Sequence, residues 1–240
     1  MILVRSAIYY VALTLSVILY GLPLSLLGWL MPKSWRHTIA NAWGQANLRL
    51  LGSICNLHFH IEGAEHLPTG PAIVMSKHQS AWETLALRGL LRKEQAWVLK
   101  RELMWIPVFG WAMAVVEPIA IDRKSGRKAA REIVEKGLQR LRDGKTVIVF
   151  PEGTRTAPGE RKKYGIGGGL LAEKAGVPVI PIAHNAGVYW RRREFRKRPG
   201  TIQVVVGAPL DISGKNAAQI TRMVEEWIEA VQARLPLEPV

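Results

Sequence analysis

The sequence predicts an α/β fold: a central, mostly parallel or mixed β-sheet flanked by helices, with an N-terminal membrane-associated helical segment ahead of it. Three observations carry this reading. Four short apolar runs, Ala72 to Met75, Pro118 to Ile121, Thr146 to Phe150 and Val177 to Ala183, each empty into a polar loop. Helical periodicity fills much of the intervals between them, and a long uncharged apolar run precedes them all. Strands that alternate with helices in this way build sheets whose two faces are covered by crossover helices.

The opening run, Ser6 to Pro32, contains no charged residue and lies between Arg5 and the pair Lys33 and Arg36. About twenty apolar residues cross a bilayer, so this stretch is long enough to span one, while Gly21 and Pro23 permit a kink or a shallow excursion within one leaflet. A cleaved signal peptide fits less well, because Met31-Pro32-Lys33-Ser34-Trp35 lacks a small-x-small cleavage site. Trp35, Ile39, Trp43, Ala46, Leu50 and Ile54 then recur at helical spacing among polar residues, the pattern of a helix lying along an interface. Residues 1–56 therefore read as hydrophobic and amphipathic membrane-anchoring helices, and residues 57–240 as one α/β domain.

Within that domain, Leu57 to Glu62 alternates as a strand and Gly63 turns it. Gln79 to Leu91 carries apolar residues at helical spacing, and Ala96 to Leu99 is strand-like. Ser125 to Arg142 reads as a basic helix with Ala130, Ile133, Val134, Leu138 and Leu141 inward, closed by Asp143-Gly144. Arg161 to Gly169 is basic and glycine-rich, able to bring backbone N–H groups near an anion, although it matches no phosphate-loop pattern. Asn216 to Leu235 places Ile220, Met223, Val224, Trp227, Ile228 and Val231 on one packing stripe.

Composition narrows the function classes. The formal net charge is +14 over 240 residues and calls for an anionic partner. The densest basic cluster, Arg191 to Arg198, comes without zinc-finger spacing or an RNA-recognition signature, so nucleic acid is not expected. An anionic bilayer, an acidic protein or a phosphate-bearing small molecule would each be attracted to it. Cys55 is the single cysteine, which excludes an intramolecular disulfide and any multi-cysteine metal site. His58 and His60 share a strand face without a third ligand at a telling distance, so no metal and no cofactor is expected.

The chemistry-bearing residues lie in the loops. In Ser76-Lys77-His78-Gln79-Ser80-Ala81-Trp82-Glu83 a histidine precedes a carboxylate by five positions. On a continuous helix these would diverge by roughly 140°, so they converge only if His78 sits in the turn before the helix. An imidazole there could take a proton from a hydroxyl while the carboxylate holds its other ring nitrogen. Phe150-Pro151-Glu152-Gly153-Thr154-Arg155 follows a second strand, Asp122-Arg123 a third and His184-Asn185 a fourth. Open sheets of this class bind ligands at such strand ends.

These blocks together resemble the 1-acylglycerol-3-phosphate acyltransferase family of the glycerolipid acyltransferases. His78-Gln79-Ser80 through Glu83 is similar to its His-x4-Asp block. Lys100-Arg101-Glu102-Leu103, Pro107, Phe109-Gly110 and Ile121-Asp122-Arg123 resemble its second block. Phe150 to Arg155 resembles its Phe-Pro-Glu-Gly-Thr-Arg block, and Val177 to Pro181 its proline-bearing fourth. The resemblance implies His78 as base and Glu83 as its orienting carboxylate. It also implies Arg123 and Arg155 as phosphate binders, Glu152, Gly153 and Thr154 shaping the acceptor pocket, and Lys100 serving phosphate or donor. It implies lysophosphatidic acid as acceptor, acyl-CoA or acyl-carrier protein as donor, membrane phospholipids as surroundings, and a catalytic part on the cytoplasmic face of the cell membrane. The chain departs from the family twice. Glu83 stands where Asp is usual, and Lys77 stands where Asn commonly precedes the histidine, putting a cation beside the imidazole that would lower its pKa.

Overall fold

The computed structural model describes residues 1–91 and 93–239. Seven strands form one mixed sheet: β1 (Leu57–Glu62), β2 (Ile73–Ser76), β3 (Gln95–Lys100), β4 (Ile119–Ile121), β5 (Thr146–Val149), β6 (Val179–His184) and β7 (Gly200–Val206). Their spatial order is β1-β7-β6-β2-β5-β3-β4. Every pairing is parallel except β6 with β7. The C-terminal ends of β6, β2, β5, β3 and β4 therefore share one edge, and the loops that leave them meet there.

Eight α-helices accompany the sheet among the described residues: α1 (Ile2–Leu27), α2 (Lys33–Cys55), α3 (Trp82–Leu90), α4 (Phe109–Val115), α5 (Arg127–Arg142), α6 (Gly167–Ala175), α7 (Ala186–Tyr189) and α8 (Ala217–Gln232). The strands are buried on both faces because successive side chains point to opposite sides. Val74, Ile148, Ile180 and Ile202 pack with Leu51, Trp82, Leu85 and Leu87 on one face. Ile73, Val147, Val179 and Val205 pack with Ile133, Leu171, Ile220 and Ile228 on the other. The α8 stripe expected from spacing is seen in its buried Ile220, Val224, Ile228 and Val231. Its start is set by a capping box in which Asn216 and Gln219 satisfy each other's backbone N–H groups.

Four elements had no sequence expectation: β7 and α7, which follow β6, α4, and α6, which takes up the last three residues of the glycine-rich stretch. Gly167–Gly169 open α6, and a Cβ at Gly168 would stand 2.9 Å from Met75 Cε. Those three glycines serve close helix packing here, whereas residues 161–166 of the same stretch lie outside the helix. Gly44 has the same role between α2 and α3, where a Cβ would meet Gly89 N at 2.7 Å.

The region Ile2–Leu30 is long and apolar enough to cross a membrane. It does not stand apart from the domain. Ser6 accepts a hydrogen bond from Lys197 N–H at 2.9 Å, and Tyr9 packs edge-on against Trp190 at 5.9 Å. Ser16 joins Trp43 and Asn47 of α2, and the Ser25 hydroxyl donates to Val108 O. One flank of α1 is thus docked along its length. The other flank exposes Leu3, Val4, Val11, Leu15, Leu19 and Leu26, continued by Trp29, Leu30 and Trp35.

Candidate active site

His78 lies in the loop between β2 and α3. That loop turns because α3 begins only after Ala81, so His78 is outside the helix and Glu83 is in its first turn. The imidazole Nδ1–H donates to Glu83 Oε1 at 2.7 Å. Since a carboxylate only accepts, the proton on Nδ1 leaves Nε2 as the free acceptor. Glu83 is fully buried. Its oxygens also accept from Gln79 N–H at 2.9 Å and Ser80 N–H at 2.8 Å. These amides at the start of α3 fix the carboxylate, and the longer glutamate side chain is accommodated with no loss of contact. Burial would push this carboxyl up, but its hydrogen bond with His78 and the charges around it hold it below the usual range.

Burial lowers the His78 pKa, the Glu83 contact opposes that, and the charges of Arg155 and Arg123 add to the lowering. The imidazole is therefore neutral at neutral pH. Its ring stacks on Phe150 at 4.1 Å with the planes 17° apart. It opens on a cavity of about 450 Å³ that Thr84, Arg88, Trp97, Lys100, Arg123, Thr154 and Arg155 also line. Sequence reasoning missed Phe150 as a stacking partner, although it ends the strand next to β2.

Among the described residues the two arginines are held without carboxylate partners. Arg123 Nη1 donates to the Gly153 carbonyl. Arg155 Nε is buried without an acceptor. Among the described residues Asp122 forms no ion pair with Arg123, nor Glu152 with Arg155. Asp122 instead caps its own turn by accepting from Lys124 N–H. Lys100 is half-exposed and pairs with Glu102 at 2.9 Å.

Glu152 and Gly153 do not line this cavity. Glu152 turns inward, 3.2 Å from Lys77 Nζ, and accepts from His78 N–H at 3.4 Å. Burial pushes its carboxyl up to about 7. Gly153 has φ +68, which turns its carbonyl toward Arg123. The structure also corrects the expectation for Lys77. It is 1% exposed and points away from the imidazole to Glu152 and to Glu229 of α8, at 2.8 Å. The neighbouring carboxylates neutralise it, so the His78 pKa is lowered by burial and the arginines. His184, at the end of β6, supports the same loop: its Nε2–H donates to Lys77 O at 2.9 Å. The sequence marks His184 only as a loop residue.

Comparison with known proteins bears on this geometry. The profile of the Acyltransferase family matches residues 58–185, the span that holds His78, Glu83, Arg123 and Arg155. A 1-acyl-sn-glycerol-3-phosphate acyltransferase from Pseudomonas aeruginosa is 36% identical, over 97% of this chain and 91% of the relative. The chain belongs to the acyltransferase family. A human relative, 1-acyl-sn-glycerol-3-phosphate acyltransferase alpha, is 32% identical over 66% of this acyltransferase and 56% of its own length. The crystal structure of the 1-acyl-sn-glycerophosphate acyltransferase from Thermotoga maritima superposes with a TM-score of 0.78 at 23% identity, covering 97% of this chain and 96% of that one. The acyltransferase therefore shares that fold from the N-terminal helices to α8.

Proposed function

We propose that this acyltransferase moves an acyl chain from a thioester donor, acyl-CoA or acyl-carrier protein, to the sn-2 hydroxyl of 1-acyl-sn-glycerol 3-phosphate, forming phosphatidic acid. The observation that carries the reading is a neutral, carboxylate-held imidazole facing the same cavity as two arginines free of acidic partners. His78 Nε2 takes the hydroxyl proton as the oxygen attacks the thioester carbonyl carbon. The carbon–sulfur bond breaks, and the imidazolium returns its proton to the departing thiolate. Glu83 steadies that imidazolium. Arg123 and Arg155 offer guanidinium forks to the acceptor phosphate, and Lys100 and Thr154 stand on the same wall.

A comparison of lysophosphatidic acid with its non-phosphorylated counterpart, using each donor in turn, tests the assignment. The phosphorylated acceptor is expected to be used with kcat/KM at least about 100-fold higher, because charge-assisted contacts to phosphate contribute about 1.5–3 kcal/mol each. Arg155→Ala is expected to raise KM for lysophosphatidic acid. It should also move the acid limb of the kcat/KM profile upward in pH, since loss of a neighbouring cation lets the imidazole protonate more readily. Equal use of both acceptors would refute the phosphate assignment.

Residues 1–56 seat the enzyme on the membrane in this reading. α1 offers lipid one apolar flank while its other flank stays fastened to the domain. A helix tied along its length to the polar α2 lies in the surface of a bilayer and not across it. Exposed Arg191, Arg192, Arg193 and Arg196 flank the N-terminal end of α1, where Phe195 meets Tyr10. Their attraction to anionic headgroups fits the cytoplasmic face of the cell membrane. Sedimentation with vesicles should be strong for anionic lipid and weaken when Leu15, Leu19 and Leu26 are replaced by serine. Unchanged sedimentation would remove the α1 surface from the account.

A further inference from the structure

Arg88 has no hydrogen-bonding or ion-pair partner for its guanidinium among the described residues. It lies on α3, one turn beyond Thr84 on the same helix face, and is 4% exposed. Among the described residues nothing accepts a hydrogen bond from its guanidinium, and Nη1 is sealed from solvent without an acceptor. Its one aromatic contact is with Trp97, whose ring centroid is 5.2 Å away. Such a contact uses the face of the cation and leaves its N–H donors, which lie in the guanidinium plane, unspent. Burial brings its pKa down to about 9, so it stays charged at neutral pH. A buried charge without hydrogen-bonding partners is strongly unfavourable, and such groups persist where a ligand completes them.

Its place decides which ligand atom that is. Arg88 lines the His78 cavity and also a second, much smaller cavity of about 50 Å³ between α1, α2 and α4. The two cavities share Trp43, Arg88, Phe109 and Met113 as lining. Beyond Arg88 the second is apolar, with Val17, Leu24, Ile39 and Val116. From the imidazole the way to Arg88 runs over aromatic rings: Phe150 at 4.1 Å from His78, Trp97 at 5.9 Å from Phe150, then the guanidinium. Arg123 and Arg155 already answer the acceptor phosphate, and an aromatic wall suits hydrocarbon. What reaches Arg88 from the reacting centre is the acyl chain, and plain hydrocarbon offers its donors nothing.

We propose that Arg88 is a subsite for an oxygen substituent, a hydroxyl or oxo group several carbons from the thioester, carried on the acyl chain of the donor. The inference rests on the acyl-transfer reading and names the donor class within it. Oxygenated acyl donors are taken in preference to unsubstituted ones because only they satisfy a desolvated cation.

The test uses the full-length enzyme and Arg88→Met with lysophosphatidic acid and acyl-CoA donors of equal length. The donors are unsubstituted, hydroxylated on the β-carbon, or hydroxylated at mid-chain. The wild type is expected to use the mid-chain hydroxyacyl donor about 10- to 100-fold better in kcat/KM than the unsubstituted one, the range of a hydrogen bond to a charged group. Arg88→Met should reverse that order, leave KM for lysophosphatidic acid unchanged, and melt at a higher temperature without ligand because a buried uncompensated charge is gone. Equal use of the donors by the wild type overturns the proposal. So does a preference that survives Arg88→Met, a raised acceptor KM, or a lowered melting temperature. Transfer from unsubstituted donors alone sinks only this inference, whereas no transfer from any donor sinks the acyl-transfer reading as well.

Discussion

Alanine at His78 is expected to lower kcat and kcat/KM for acyl transfer together, by about three to four orders of magnitude. The expectation follows from position and protonation. Nδ1–H is committed to Glu83, so Nε2 is an acceptor facing the cavity, and burial with two nearby arginines keeps the ring neutral. Among the described residues no other histidine and no carboxylate lines that cavity. Equal losses in the two constants would mark a contact made only in the transition state. Glu83→Gln should lose less and separates the two roles. Without the carboxylate the imidazole pKa falls further, so the acid limb of the rate profile moves to lower pH while its plateau drops. Steady-state rates from pH 5 to 9, with melting curves run alongside, are the measurement. Plateau activity within a few-fold of wild type in His78→Ala would end the general-base account.

The second large effect is on stability. Lys77→Met is expected to cost about 3–5 kcal/mol, the range for removing one member of a buried ion pair. For a chain of this size that is a fall in melting temperature of roughly 10 °C. Lys77 Nζ lies between Glu152 and Glu229, and Tyr164 donates to the same Glu229 oxygen at 3.0 Å. Without the ammonium, two carboxylates face each other in a buried space. The effect has a sign in pH. The Glu152 carboxyl already sits near 7, above its unfolded value, so its ionisation opposes folding as pH rises through that window. Losing Lys77 raises it further. The deficit of the variant should therefore be smallest at low pH, where Glu152 is protonated, and largest above neutrality. Melting curves with no pH-dependent gap between variant and wild type would rule out this network. Activity should fall too, because Lys77 ties the loop that carries His78 to α8.

Local pattern made much of this legible. Alternation and helical spacing predict most of the strands and the amphipathic helices because each depends on which side chains along a short segment face a common core. The convergence of His78 and Glu83 was readable for a similar reason: five residues and one helix start define the geometry. β7 was not readable as an element, since its parallel partner β1 is remote in sequence and decides its pairing. α6 was hidden because its glycines lower helix propensity, and only the close approach of Met75 and Ala217 explains them.

By itself the sequence determined the succession of most strands and their polar loops, the carboxylate-held histidine, the arginines in the loops after two strands and the apolar N-terminal helix. Tertiary structure alone decided where the charges and flanks point. Lys77 turns to a carboxylate 152 residues away, Arg88 is left against the Trp97 ring with no acceptor among the described residues, and α1 is fastened along one side while the other stays bare. The physical reason is range. Spacing reports which face of one element is apolar, whereas the partner of a buried charge is set by which distant segment the sheet order brings against it.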